Sequence, residues 1–303
     1  MHELTIYQDG EQSNLLQRMQ DAAQVDAAFL ATWLYGKSEK TQRAYTADIH
    51  KFYAHVGKPL HLVTLADVQG FIDSLSHLKD TSRARTIAAV KSCFSFALKT
   101  GYLPVNVGSA VKLPKTEDKL AERIMSEASV ARILALESNK RNHGILVLLY
   151  RAGLRCVELC DLTWRNLQER DQAGQISVYG KGGKTRHVLL TDETWREVMA
   201  LRRSGQGQDD YVFQSRQKGS RAGKNDRRLD ESTVFLIVRH AAERAEIDGC
   251  SPHWMRHAHA THSLENGAPI SLVQSTLGHA SMETTAKYTH VRPHSSSGQF
   301  LKV

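Results

Sequence analysis

HWMRHAHATH at residues 253–262 and LGHASMETTAKYTH at 277–290 are the two stretches on which the architecture of this chain turns. In the first, His253 and His257 stand one helical turn apart, as zinc ligands do. The residue after His253 is Trp254, however, where an HExxH site needs glutamate, and no cysteine cluster lies close by. A metal centre needs several convergent ligands, so none is expected here. His253 and Arg256, three apart, share a helical face, and together they form a cationic grip for a phosphate. In the second stretch Tyr288 follows His279 by nine residues. Taken singly, a tyrosine in such a place is a packing residue.

Upstream, GKGGKTR at 180–186 invites a nucleotide-binding reading, which fails on two counts. A P-loop needs a glycine where this chain has Val178. Its loop must also open a helix, whereas His187-Val188-Leu189-Leu190 favours a strand. With Gln175–Tyr179 on the other side, the segment predicts a β-hairpin whose tip presents Lys181. Alone, it is more simply a glycine-rich turn with solvated lysines. Further upstream, Ala152-Gly153-Leu154-Arg155 and Glu158-Leu159 follow a nearly all-apolar helix predicted over 143–152. Downstream, SRQKGSRAGKNDRR at 215–228 is a strongly basic Gly- and Ser-containing loop, either a solvated surface segment or an arm touching phosphates.

The first third reads as helical. Val25, Ala28, Phe29 and Trp33 mark one face of a helix over Asp21–Leu34, and Tyr45, Ile49, Phe52 and Tyr53 mark another over Thr41–His55, closed by Gly57-Lys58-Pro59. Thr64 with Asp67 opens a helix through Leu75, and a fourth runs from Ser82 to Lys99 with Gly101 ending it. Leu113-Pro114-Lys115-Thr116-Glu117-Asp118-Lys119 has no apolar period and reads as a linker. Helical signals restart at Ser126 and dominate from Ser232 to Tyr288. The expected division is a helical domain at 1–112, a linker at 113–123 and a second domain at 124–303.

The 303 residues are 41% hydrophobic and 24% charged, which excludes global disorder. A net charge of +8 makes a polyanion partner plausible without establishing one. The longest apolar stretch, Ile145–Tyr150, is far short of a membrane span, and the N-terminal residues do not read as a secretory signal. Cys93, Cys156, Cys160 and Cys250 form no CxxC pair, which favours reduced thiols in a cytoplasmic compartment.

Taken in order, Arg155, Glu158, the Lys181 hairpin, His253-x-x-Arg256-His257, Leu277-Gly278-His279 and Tyr288 resemble the signature of the tyrosine recombinase (phage-integrase) family, with its Xer-like members nearest. The motifs cover roughly residues 124–292; residues 1–112 share only the helical architecture. The resemblance implies a mainly α fold with a small antiparallel β-sheet. A SAM-like core-binding domain and a catalytic domain would form a C-shaped clamp on DNA. It implies a site-specific DNA recombinase working through a 3′-phosphotyrosyl intermediate and a Holliday junction, for integration, excision or resolution. The expected partners are a double-stranded recombination site and a homotetramer on paired sites, with a dimer at each site.

Phosphoryl transfer asks for charge stabilisation around phosphorus and an in-line nucleophile. Arg155 and Arg256 each offer a rigid fork of donors to the non-bridging oxygens, which lysine cannot copy. His279 adds a donor, and His253 is the candidate for the proton of the Tyr288 nucleophile. By resemblance, Lys181 protonates the leaving 5′-oxygen, Glu158 orients the pocket, and His257 supports it. Arg83, Arg85, Lys91, Lys184, Arg186, Arg221, Lys224, Arg227 and Arg228 are the expected DNA contacts. No cofactor or metal is called for, since no carboxylate cluster accompanies the motifs. Fifteen residues follow Tyr288, and the apolar end Phe300-Leu301-Lys302-Val303 is expected to dock on a neighbouring protomer in trans, against the simpler reading of a frayed tail. Two rivals stand beside this: a type IB topoisomerase-like relaxing enzyme, and a non-catalytic DNA-binding regulator, whose mark would be loss of Tyr288 or an arginine.

Overall fold

The computed structural model describes residues 26–114, 121–170, 173–180, 185–215 and 228–290. The chain divides into two compact units, Met1–Glu117 and Asp118–Val303.

In the first unit, helix α1 covers residues 26–34, followed by α2 (Glu39–Val56), α3 (Leu65–Ser74) and α4 (Asp80–Lys99). Their ends follow local chemistry. Ser38 caps α2 by accepting from the Thr41 N–H, and Gly57 closes it at φ 67°, a left-handed conformation that glycine adopts without steric cost. Thr64 and Asp67 form a reciprocal capping box, with Thr64 N–H donating to Asp67 Oδ2 at 2.7 Å. Helix α4 begins two residues before the expected Ser82, because polar Asp80 and Thr81 extend the helix by about half a turn without adding to the apolar period. Of the helix expected over Asp21–Leu34, residues 21–25 lie outside the described residues. The bundle core is aromatic: Phe52 meets Phe71 edge-on at 5.1 Å and Phe94 edge-on at 5.9 Å.

The second unit holds α5 (Glu127–Ala135), α6 (Lys140–Arg151), α7 (Cys156–Cys160), β1 (Leu167–Arg170), β2 (Ala173–Tyr179), β3 (Thr185–Leu190), α8 (Asp192–Met199), α9 (Glu231–Arg244), α10 (Pro252–Glu265), α11 (Ile270–Leu277) and α12 (Met282–Ala286), then a 3₁₀ turn at Lys287–His290. The strands form an antiparallel sheet in the order β1-β2-β3, with Ile176 opposite Leu167 on one side and Val188 on the other. Strand β1 has one buried residue among four, too little alternation to predict a strand from sequence. Gly174 lets β2 lie against α8: a β-carbon there would sit 2.1 Å from the Trp195 ring. Helix α6, buried from Gly144 through Leu149, runs through the core, and α10 packs against it and against α5, α9 and α11. Among the described residues the fold is mainly helical with one small antiparallel sheet. Among the described residues, no helix is long and apolar enough to cross a membrane.

Candidate active site

Helix α10 is the spine of the site. Pro252 opens it at a position where a missing N–H costs nothing, and His253, Arg256 and His257 follow. Arg256 is 3% exposed. Its guanidinium donates to the Gly153 carbonyl and, at 2.6 Å, to the Leu277 carbonyl, tying the α6–α7 connection to the end of α11. Gly153 is required there: at φ 59°, any β-carbon would lie 2.9 Å from both His259 and Leu277 side chains. Burial, and after it the Arg155 charge, lower the Arg256 pKa to about 10, so it stays charged at neutral pH.

Arg155 precedes α7. Its backbone N–H donates to Glu158 Oε2 at 2.7 Å, its guanidinium to Glu158 Oε1 at 2.8 Å and to the Gly278 carbonyl at 3.1 Å. Arg186, on β3, reaches the same carboxylate with both terminal nitrogens, at 2.8 and 2.7 Å. Burial would raise the Glu158 pKa, but the bonds from Arg186 and Arg155 outweigh it and hold the carboxyl at about 2. Two guanidiniums thus share one carboxylate, with the charged Arg256 within electrostatic reach of it, a surplus of positive charge suited to a phosphodiester.

Tyr288 is buried. Its Oη lies 2.6 Å from His257 Nδ1, so the hydroxyl donates when that ring carries its hydrogen on Nε2. The Tyr288 ring stacks on His279 at 6.3 Å and 11°, and His279 is fixed in turn by a 2.9 Å bond between Nδ1 and Thr285 Oγ1. His253 is exposed, its ring 4.2 Å from that of His257. Desolvation, then the charges of Arg256, Arg123 and Arg155, lower the His253 pKa.

The structure therefore brings together Arg155, Glu158, Arg256, His257, His279 and Tyr288, with His253 at the rim. The contact to the tyrosine hydroxyl is made by His257, which the sequence reading treats as supporting. Lys181, Lys184, Arg221, Lys224 and Arg227 lie outside the described residues. Among the other expected DNA contacts, Arg85 pairs with the buried Asp48, Lys91 donates to the Val111 carbonyl, and Arg228 pairs with Asp161. Arg83 Nε is buried with no hydrogen-bond partner. Arg186 turns inward to Glu158, and nothing in its local sequence signals that.

His257, His259 and His279 are each lowered to about 4, by burial first and then by neighbouring charges. Unfolded histidine takes up its proton near ~6.5, so below that value the unfolded chain binds more protons than the folded one. Stability present above ~6.5 is therefore lost progressively as pH falls toward about 4. Thermal melts stepped down through this window are expected to show a falling midpoint, and a flat profile would contradict neutral rings in the fold.

This architecture is shared with known proteins. The phage integrase family model matches residues 118–295, and the phage integrase N-terminal SAM-like domain model matches residues 29–101. Tyrosine recombinase XerD of Haemophilus influenzae is 34% identical over 292 residues, covering 90% of this chain and 95% of the relative. Tyrosine recombinase XerC of Pelobacter propionicus is 31% identical over 267 residues, covering 84% and 85%. A lambda integrase dimer bound to a COC′ core site shares the fold, with a TM-score of 0.68 at 17% identity over 89% of this chain and 97% of that one.

Proposed function

This chain belongs to the phage integrase family of tyrosine recombinases, enzymes that cleave and rejoin DNA, and from that we propose how its own residues carry the reaction. Tyr288 Oη attacks the scissile phosphorus, the bond to the 5′-oxygen breaks, and a 3′-phosphotyrosyl link forms. A second 5′-hydroxyl then reverses the step on a new partner strand, through a Holliday junction. Arg155 and Arg256 hold the non-bridging oxygens as charge grows on them. The tyrosine proton passes to His257, the ring already in hydrogen-bond contact; His253, three residues before Arg256, faces the phosphate at the rim. His279 stacks on the nucleophile and donates from its free edge. Lys181 protonates the leaving oxygen, a role that rests on the family resemblance.

The observation that carries this reading is the 2.6 Å contact between Tyr288 Oη and the neutral His257, in a pocket of arginines that favours the tyrosinate. Residues 1–112 are taken as the core-binding domain, 113–123 as the linker and 124–303 as the catalytic domain, supported by the division at Glu117. The DNA-bound dimer of lambda integrase supports a dimer on each site. A homotetramer on paired sites, with the C-terminal segment docking in trans, completes the proposal. That segment lies outside the described residues.

The test begins by mapping covalent adducts on the host genome and placing one or two copies of the mapped site on a supercoiled plasmid. Recombinants are expected only with two copies, and at the same yield in excess chelator. Relaxation of the one-copy plasmid without recombination would favour the topoisomerase-like rival, and loss of activity restored by added metal would overturn the metal-free mechanism.

A further inference from the structure

Arg186 stands beside the basic hairpin, where charge alone assigns it to DNA. Its surroundings say otherwise. The side chain is 12% exposed, and the carboxylate it reaches is 6% exposed. Its three nitrogens are all engaged: the two terminal ones on the oxygens of Glu158, and Nε on the Thr276 carbonyl at 2.7 Å. A β-carbon on Gly278 would lie 3.0 Å from Arg186 Cδ, so the arginine runs directly under the Leu277-Gly278-His279 turn. Each oxygen of Glu158 accepts from both Arg186 and Arg155, and Gly278, against which Arg186 packs, also accepts from Arg155. Thr276 and His279 flank the left-handed Gly278 that ends α11.

We propose that Arg186 is a positioning residue for DNA cleavage, holding Glu158 so that Arg155 presents its fork to the phosphate and holding the end of α11 so that His279 stays against Tyr288. This rests on the reading that Arg155 acts on the scissile phosphate. Without Arg186, Glu158 keeps only the donors of Arg155, and the carboxylate is free to turn and draw that guanidinium away from substrate. A lysine supplies one compact charge and cannot serve two carboxylate oxygens and a carbonyl at once. A misplacement of about 1 Å in such a group costs on the order of 10²-fold in rate.

The experiment uses the full chain with Arg186→Lys and Arg186→Gln, each alone and combined with Arg155→Lys. Single-turnover cleavage is followed on a nicked suicide duplex carrying the mapped site. Each Arg186 variant is expected to cleave ~10²-fold more slowly, with duplex affinity and its salt dependence unchanged. In the Arg155→Lys background the same change is expected to cost less than about 3-fold more, because Arg186 acts chiefly through the Arg155 guanidinium and only secondarily through the end of α11. The Lys variant, which keeps the charge in the fold, decides the matter if the Gln variant melts early. Near wild-type cleavage by Arg186→Lys would overturn the proposal, as would losses that multiply in full in the double variant. A salt slope reduced by about one would make Arg186 a phosphate contact instead. Wild-type cleavage by Arg155→Lys alone would strike the underlying reading and this proposal with it.

Discussion

Tyr288→Phe is expected to abolish the covalent protein–DNA adduct while leaving duplex binding intact. The substitution removes one oxygen and keeps the ring that stacks on His279 and packs with Ile124, Ala260, Val273 and Leu277. What is lost in the fold is the hydrogen bond to His257, on the order of 1 kcal/mol. What is lost in the proposed reaction is the nucleophile. Denaturing gels on a nicked suicide substrate separate the two effects. Adducts that persist in the Phe variant would move the nucleophile elsewhere.

Replacing either arginine of the proposed phosphate grip, Arg155 or Arg256, is expected to depress cleavage by ~10²-fold or more, the usual cost of removing one preorganised donor. The two should differ in stability. Arg155 is 39% exposed at its side chain and leans on Glu158, so Arg155→Lys should fold normally and fail in chemistry. Arg256 is buried, and its bonds to the Gly153 and Leu277 carbonyls join segments far apart in the chain. Arg256→Ala leaves those acceptors unpaired, each at roughly 1–3 kcal/mol. A lowered melting temperature is therefore expected with the rate loss. Arg256→Lys is the cleaner probe, since it restores charge and one bond but not the fork. Single-turnover rates read against melting curves decide the question: an Arg155→Lys enzyme that cleaves at the wild-type rate makes Arg155 structural.

Much of this molecule is written in neighbours along the chain. The Thr64–Asp67 cap, the Gly57 stop and the apolar α6 depend on residues within a turn or two, where spacing alone specifies the contact. The order of Arg155, His253-x-x-Arg256-His257, Gly278-His279 and Tyr288 is likewise legible without coordinates. Folding decided the rest. Which histidine meets Tyr288 depends on a contact across 31 residues, and the inward turn of Arg186 depends on partners 28 and 90 residues away. Strand β1, with one buried residue, owes its existence to β2 beside it. Side chains with these partners carry no local periodicity: a surface arginine on a strand and one locked beneath an active site read alike in one dimension. Only when β3, α7 and the end of α11 pack together does burial make an unpaired guanidinium costly enough to choose Glu158 over water.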